Sequence, residues 1–285
     1  MNTLIIDKNW ETHHDFQRWY YEMLILSNRF KVEYADLAEE RVFDRVKVES
    51  AKIDAQQNRN ARFGGLSFIK INNKLIALDT WCNRKYIVNF RKVGLFNELK
   101  PDLYLKMDDV DYGRELGFKS SSWVMFPGGQ KFVDFFKWEN VNHKYLSMFT
   151  SGKHSLRTQH RMPWLEYFRA HPEFWSSRDI RLSEDEYRSI LKQCKFGVII
   201  VSNDSYKNTR EYEYISCGMP MALNYRPRYE FGFEPDKHYL LLKEPTDLAK
   251  LATIDPLPFV EASKYIWENY YRPEAAADYL MQLLK

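Results

Sequence analysis

The sequence predicts an α/β protein built as two Rossmann-like halves with a cleft between them. Three observations carry this. The chain has 285 residues, enough for about two domains. Short apolar runs of strand type alternate with helical patterns, most cleanly beyond residue 140, as expected of parallel βαβ units. A seam in composition near Gly128–Asn142 separates the halves.

The elements follow in order. "TLIID" (Thr3–Asp7) is a strand, followed by the polar loop "KNWETHH". In "DFQRWYYEMLILSNR", Phe16, Trp19, Tyr20, Met23 and Leu24 recur at helical spacing. "FKVEYADL" reads as a second strand, and the charged "AEERVFDRVKVESAKIDAQQNR" as helix. "LSFIKI" and "KLIALDTW" read as strands around Asn72-Asn73, a hairpin turn. "DLYLKM" and "SSWVMF" are strands, closed by the turn Pro127-Gly128-Gly129. "KYLSMFT" opens the second half as a strand, and a polar loop follows it. "MPWLEYFRAHPEFW" reads as a helix, with Pro163 at its start. "LSEDEYRSILKQC" has the clearest helix start in the chain, Ser183 as N-cap with Glu186 completing a capping box. Strand "FGVIIV", loop "SNDSYKN", helix "TREYEYISCG" with its Gly stop, and strands "PMALNY" and "HYLLLK" follow. "TDLAKLA", "FVEASKYIWENYY" and "PEAAADYLMQLLK" close as helices.

Hydrophobic residues at 45% and charged residues at 28% match ordinary globular usage, which excludes disorder. Net charge is +3, too balanced for a nucleic-acid binder that relies on counterion release. Three cysteines, Cys82, Cys194 and Cys217, have no metal-ligand spacing and no disulfide arithmetic, which fits a reducing compartment. The N-terminus lacks signal-peptide features, and no apolar stretch approaches the roughly 20 residues of a membrane span. These readings predict a soluble, cytoplasmic protein.

Two constellations carry chemistry. The loop "TSGKHSLRTQHR" after the "KYLSMFT" strand places Ser151 and Gly152 beside Lys153, His154, Arg157, His160 and Arg161, ahead of a helix start. Free N–H groups and the helix dipole favour anions there, and cations belong there only with an anion such as a diphosphate. A solvated basic loop is the plain alternative. Walker and G-x-G-x-x-G patterns are absent, so nucleoside triphosphate hydrolysis and NAD use are not expected. The second constellation, "VSNDSYKNTREYEYISCGMP", leaves "FGVIIV" at the same sheet edge. Ser205, Tyr206, Asn208 and Thr209 offer hydroxyls and an amide, Arg210 a cation, and Glu211 and Glu213 carboxylates. An acidic first turn is also plain helix design. As a ligand, one carboxylate would accept two ribose hydroxyls, as in dinucleotide folds.

Arg210-x-x-Glu213 on a helix, then Gly218-x-Pro220 and an apolar strand, resembles the nucleotide-sugar half of GT-B glycosyltransferases of the exostosin-like and group 1 types. The resemblance covers about residues 140–250. It implies that Glu213, rather than Glu211, grips the donor ribose and that Arg210 supports the phosphate or that carboxylate. It implies an acceptor-binding half over 1–140, a nucleotide-sugar half over 141–258 and a final helix, about 259–285, packing back on the first half. Tyr214 departs from the pattern, standing where a small residue is usual, and Met221 replaces Val or Ile. The implied reaction is sugar transfer from a nucleotide donor, with UDP as the commonest handle, no cofactor or metal, and an oligosaccharide or glycoprotein acceptor. The chain is also similar to enzymes of large algal viruses (chloroviruses) that build capsid glycans. That points to UDP-xylose and the host cytoplasm.

Such transfer passes through an oxocarbenium-like state, and an inverting enzyme needs a base at the attacking hydroxyl. Asp79, at the end of "KLIAL", is the first candidate, with His13 and His14 in the loop after the first strand next. Asp108 to Asp111, "DDVD", mimics a metal-binding Asp-x-Asp but reads as a turn. Arg157, Arg161 and Lys207 would meet leaving-group charge. Trp81, Tyr206 and Trp164 would stack on sugar or base, unless they simply fill the core. An epimerase of the same fold and a non-catalytic glycan-binding module are the competing readings.

Overall fold

A computed structural model of the chain describes residues 1–12, 15–37, 66–79, 100–106, 119–122, 133, 135–150, 161–177, 182–201, 209–227 and 232–285. The architecture is α/β, and the chain divides into two compact units, residues 1–131 with 270–285, and residues 132–269.

The first unit is built on a six-stranded mixed sheet. Its strands are β1 (Asn2–Asp7), β2 (Phe30–Ala35), β3 (Leu66–Ile71), β4 (Lys74–Asp79), β5 (Leu103–Lys106) and β6 (Ser120–Ser122), in the order β2-β1-β3-β4-β5-β6. β3 runs antiparallel to both β1 and β4, and every other pairing is parallel. The hairpin turn between β3 and β4 places Asn72 at φ 53°, a conformation Asn tolerates. Asn72 Oδ1 also accepts the Thr3 N–H at 3.0 Å, fixing the hairpin to β1. β4 and β5 are near-continuous apolar runs, with Ile76, Ala77, Leu78, Leu103, Tyr104 and Leu105 all buried, as expected of central strands covered on both faces. Helix α1 (Asp15–Leu26) buries Tyr20, Tyr21, Met23 and Leu24. Tyr21 donates to Ser67 Oγ on β3 at 2.6 Å.

The second unit is parallel throughout. Strand β7 (Ser147–Phe149) leads through α2 (Met162–Ala170) to β8 (Phe174–Ser176). Then α3 (Glu184–Leu191) leads to β9 (Gly197–Ile199), and α4 (Thr209–Ser216) to β10 (Met221–Leu223) and β11 (Leu240–Leu241). β7 pairs with β8, and β9 with β10 and β10 with β11. A parallel bridge between Tyr145 and Cys194, with Phe196 N donating to Leu146 O at 2.9 Å, joins the two ribbons. The strands therefore lie in the order β8-β7-β9-β10-β11, the doubly wound order that reverses between β7 and β9.

The expected helix over "MPWLEYFRAHPEFW" is corrected here. It ends at Ala170, and "FWS" forms β8. His171 precedes Pro172, and the proline ring forces its predecessor out of the helical region, to φ −119°, ψ 112°. Ser183 caps α3 as a full capping box with Glu186. Gly218 stops α4 at φ +72°, where glycine has no Cβ penalty. "TDLAKLA" is a 3-10 helix within Pro245–Ala252 rather than an α-helix. Helix α5 (Leu257–Ile266) runs through a π turn (Trp267–Tyr271) into α6 (Pro273–Leu283), which packs on α1 within the first unit.

Candidate functional site

In the second unit the chain leaves β7 at Thr150 and β9 at Ile200, on either side of the reversal in strand order. Open α/β sheets bind ligands at the carboxyl edge beside such a reversal, because the two connecting segments diverge there and leave a crevice. Residues 151–160 and 202–208, which follow β7 and β9 in sequence, lie outside the described residues, and so do the candidates Ser151, Gly152, Arg157, Ser205, Tyr206 and Asn208.

Helix α4 begins at Thr209 and carries Arg210 in its first turn. Arg210 Nη2 donates to Thr150 Oγ1, so the helix after β9 is fastened to the end of β7. The guanidinium also lies over the Tyr187 ring of α3, 5.3 Å from its centroid. One turn on, Glu213 Oε2 accepts the Tyr187 hydroxyl at 2.7 Å. Burial works against the Arg210 charge, but Tyr187, Tyr214 and Glu213 outweigh it and raise its pKa. Burial pushes the Tyr214 phenol up to about 12, with Arg210 opposing and Glu213 adding. Arg210 is thus a fixed cation, both tyrosines stay neutral, and Tyr187 donates to Glu213. A cation and a carboxylate held one turn apart at a helix start can meet the two ends of a nucleoside diphosphate, phosphate and ribose.

Glu211 differs in its surroundings. It is buried at 1% exposure and accepts the Tyr225 hydroxyl, at the far end of β10. Asn224 Oδ1 accepts the Val201 N–H at 2.8 Å and its Nδ2 donates to Val201 O at 3.2 Å, continuing the β9–β10 ladder by one residue. That amide clamps the chain where it enters the 202–208 segment.

The other candidates fall as follows. Arg161 stands half-buried at the N-cap of α2. Trp164, considered for stacking on a sugar or base, is instead 6% exposed in the apolar core with Leu165, Phe168 and Phe174. A tryptophan at the first inward position of an amphipathic helix packs there because burial is worth more than a surface stack. In the first unit, Asp79 closes β4, opposite Leu66 of β3 and Lys106 of β5. β1, β2, β4, β5 and β6 all run one way, so Asp79 and the loop after β1 share one sheet edge. His13, His14, Trp81, Lys207 and the Asp108–Asp111 run lie outside the described residues. Among the described residues no group of three or more His, Cys, Asp or Glu side chains is placed to hold a metal ion. No helix among them is long and apolar enough to cross a membrane.

Sequence reasoning missed Tyr187, Thr150, Asn224 and Tyr225. A signal existed for Tyr187: with Ile190, Leu191 and Cys194 it follows the helical spacing of an inward face.

Residues 151–256 match a family model described as glycosyl transferase-like. This span contains both connecting segments, α4 and the Gly-x-Pro step, and falls within the second unit. No curated protein sequence matches the chain. Among solved structures, the GtfA/B complex aligns at TM-score 0.42 and 14% identity, over 69% of this chain and 47% of that one. The pneumococcal O-GlcNAc transferase GtfA, in complex with UDP and GlcNAc, aligns at TM-score 0.32 and 14% identity, over 69% and 44%. The kitacinnamycin glycotransferase aligns at TM-score 0.36 and 12% identity, over 99% and 98%. The chain spans a little under half the length of the first two.

Proposed function

We propose that the protein is a GT-B glycosyltransferase that moves a sugar from a nucleotide donor to a glycan hydroxyl. The second unit would hold the donor and the first would read the acceptor. The observation that carries the reading is the Arg210–Glu213 pair, fixed at the start of α4 and tied to Thr150 beside the strand reversal. The family match over 151–256 supports the same reading. Glu213 would bind the ribose hydroxyls. Arg157 and Arg161 would take the diphosphate with the start of α2, stabilising charge on the leaving group. The donor is proposed as a UDP-sugar, with UDP-xylose the first to try. Asp79 is the first candidate for the base of an inverting transfer, ahead of His13 and His14.

Calorimetry with UDP tests this on the parent protein, Glu213→Ala and Arg157→Ala. Binding by the parent, weakened about tenfold or more in each variant, is the expected result, the size of one charge-assisted hydrogen bond or more. No binding by the parent, or no loss in either variant, overturns the reading. Turnover then separates the alternatives. A binding module would hold UDP and never release it from any donor, and an epimerase would act with no acceptor present.

A further inference from the structure

We infer that Tyr187 is a positioning residue for ribose recognition, acting through Glu213; this rests on the donor-site reading above. Three observations converge on it. Its hydroxyl donates to Glu213 Oε2 at 2.7 Å, across 26 residues of sequence and from a different helix. Its ring lies under the Arg210 guanidinium at 5.3 Å. Arg210 in turn reaches Thr150 at the end of β7. One side chain of α3 therefore touches both charged groups that the donor would meet, and it comes from outside the Arg-x-x-Glu segment.

The physical case is one of preorganisation. A glutamate on a helix surface has three side-chain torsions and loses their freedom when it binds ligand. A neutral phenol bonded to one oxygen fixes the carboxylate plane before the ligand arrives. The strongly raised Tyr187 pKa, caused first by burial and then by Tyr214, keeps that phenol a donor at any physiological pH. Tyr187 touches no reacting atom in this scheme. Its effect is on donor affinity and on discrimination between ribose and deoxyribose.

Tyr187→Phe keeps the ring and removes only the hydroxyl. The test is calorimetry with UDP and with 2′-deoxy-UDP and 3′-deoxy-UDP on the parent, Tyr187→Phe, Glu213→Ala and the double variant. We expect the parent to prefer UDP over at least one deoxy analogue. Tyr187→Phe should bind UDP roughly five- to tenfold more weakly, the size of one net hydrogen bond, because the hydroxyl acts only indirectly through the carboxylate. It should lose most of that preference. The double variant should bind no more weakly than Glu213→Ala alone, since the hydroxyl works only through that carboxylate. A merely structural tyrosine would lower UDP and deoxy-UDP binding equally, leaving the preference intact, and that result overturns the inference. So does Tyr187→Phe binding like the parent. If the parent binds no UDP, the donor-site reading itself fails. A parent that depends on Glu213, beside an unchanged Tyr187→Phe, sinks only the role of Tyr187.

Discussion

Gly197→Ala is the sharpest test of how the second unit is packed. Gly197 opens β9, beneath α4, on the face opposite Val198. A Cβ placed on it would come within 2.6 Å of both Cγ and Cε2 of Tyr214, and nearer still to Cδ2. Carbon atoms at rest sit about 3.5–4.0 Å apart, so the overlap is on the order of 1 Å. The ring has little room to retreat. Tyr214 is fully buried, and its phenol end lies among Arg210, Glu213 and Tyr187. Overpacking a well-filled core costs about 1–3 kcal/mol, and a rigid ring against a rigid strand belongs at the upper end. At about 2–4 °C per kcal/mol, a cost near 3 kcal/mol lowers Tm by roughly 6–12 °C. Thermal and urea unfolding followed by tryptophan fluorescence measure it. In a Tyr214→Ala background the added methyl enters vacated space, and the cycle should show a coupling of about 2 kcal/mol. A change in Gly197→Ala below about 0.5 kcal/mol, the level of an indifferent surface substitution, would refute the clamped ring.

Three further predictions concern the same unit. Gly218→Ala meets nothing nearer than Lys264 Cγ at 3.8 Å, so its cost is backbone alone, about 1–2 kcal/mol, with Gly218→Asn less harmful in the same urea titration. Lys195 Nζ donates to the carbonyls of Leu251, Ala252 and Ile254. Lys195→Met should destabilise by roughly 1–3 kcal/mol and speed amide exchange over 251–254, while Tm at β1 variants stays additive with it. His238 Nδ1 accepts the Glu234 N–H at 2.9 Å, and its pKa is lowered, first by burial and then by Lys237. His143, stacked on Trp138, is lowered too, again first by burial. A folded state that prefers neutral imidazole is most stable above the unfolded value of about 6.5 and loses stability as pH falls through the folded values. Urea midpoints should therefore drop between pH 7.5 and 5.5, with a shallower slope in His238→Gln, whose amide oxygen still accepts the Glu234 N–H.

Much of this was open to sequence reasoning where the signal is local. The Ser183–Glu186 capping box, the Asn72-Asn73 hairpin and the Gly218 stop depend on residues within a few positions of one another, and each stands as expected. β8 was hidden because three residues cannot display a period, although His171-Pro172 did mark the helix end. The order of strands, and the antiparallel β3 in the first sheet, depend on pairing partners that alternation does not encode. The site divides along the same line. Arg210 and Glu213 share one helix and could be paired from their spacing. Tyr187, Thr150 and Asn224 reach them or their flanking segments from other elements, and only the fold brings those together. Tyr214, an oddity against the family pattern, has its explanation in the side chain that Gly197 lacks.

The placement of α6 has a consequence for how the protein is made. Tyr20 of α1 feels Tyr279, Arg29 pairs with Asp278 at 2.8 Å, and Lys74 Nζ donates to Leu284 O at 2.9 Å. The first unit to leave the ribosome is therefore the last to be finished. The side of α1 that carries Tyr20 stays uncovered until residues 270–285 have been synthesised. The second unit, a single stretch over 132–269, is whole before then. Chaperone capture and proteolysis of the nascent chain should fall on the N-terminal sheet, and cutting the chain before Tyr270 should leave a folded second unit tethered to an exposed first one.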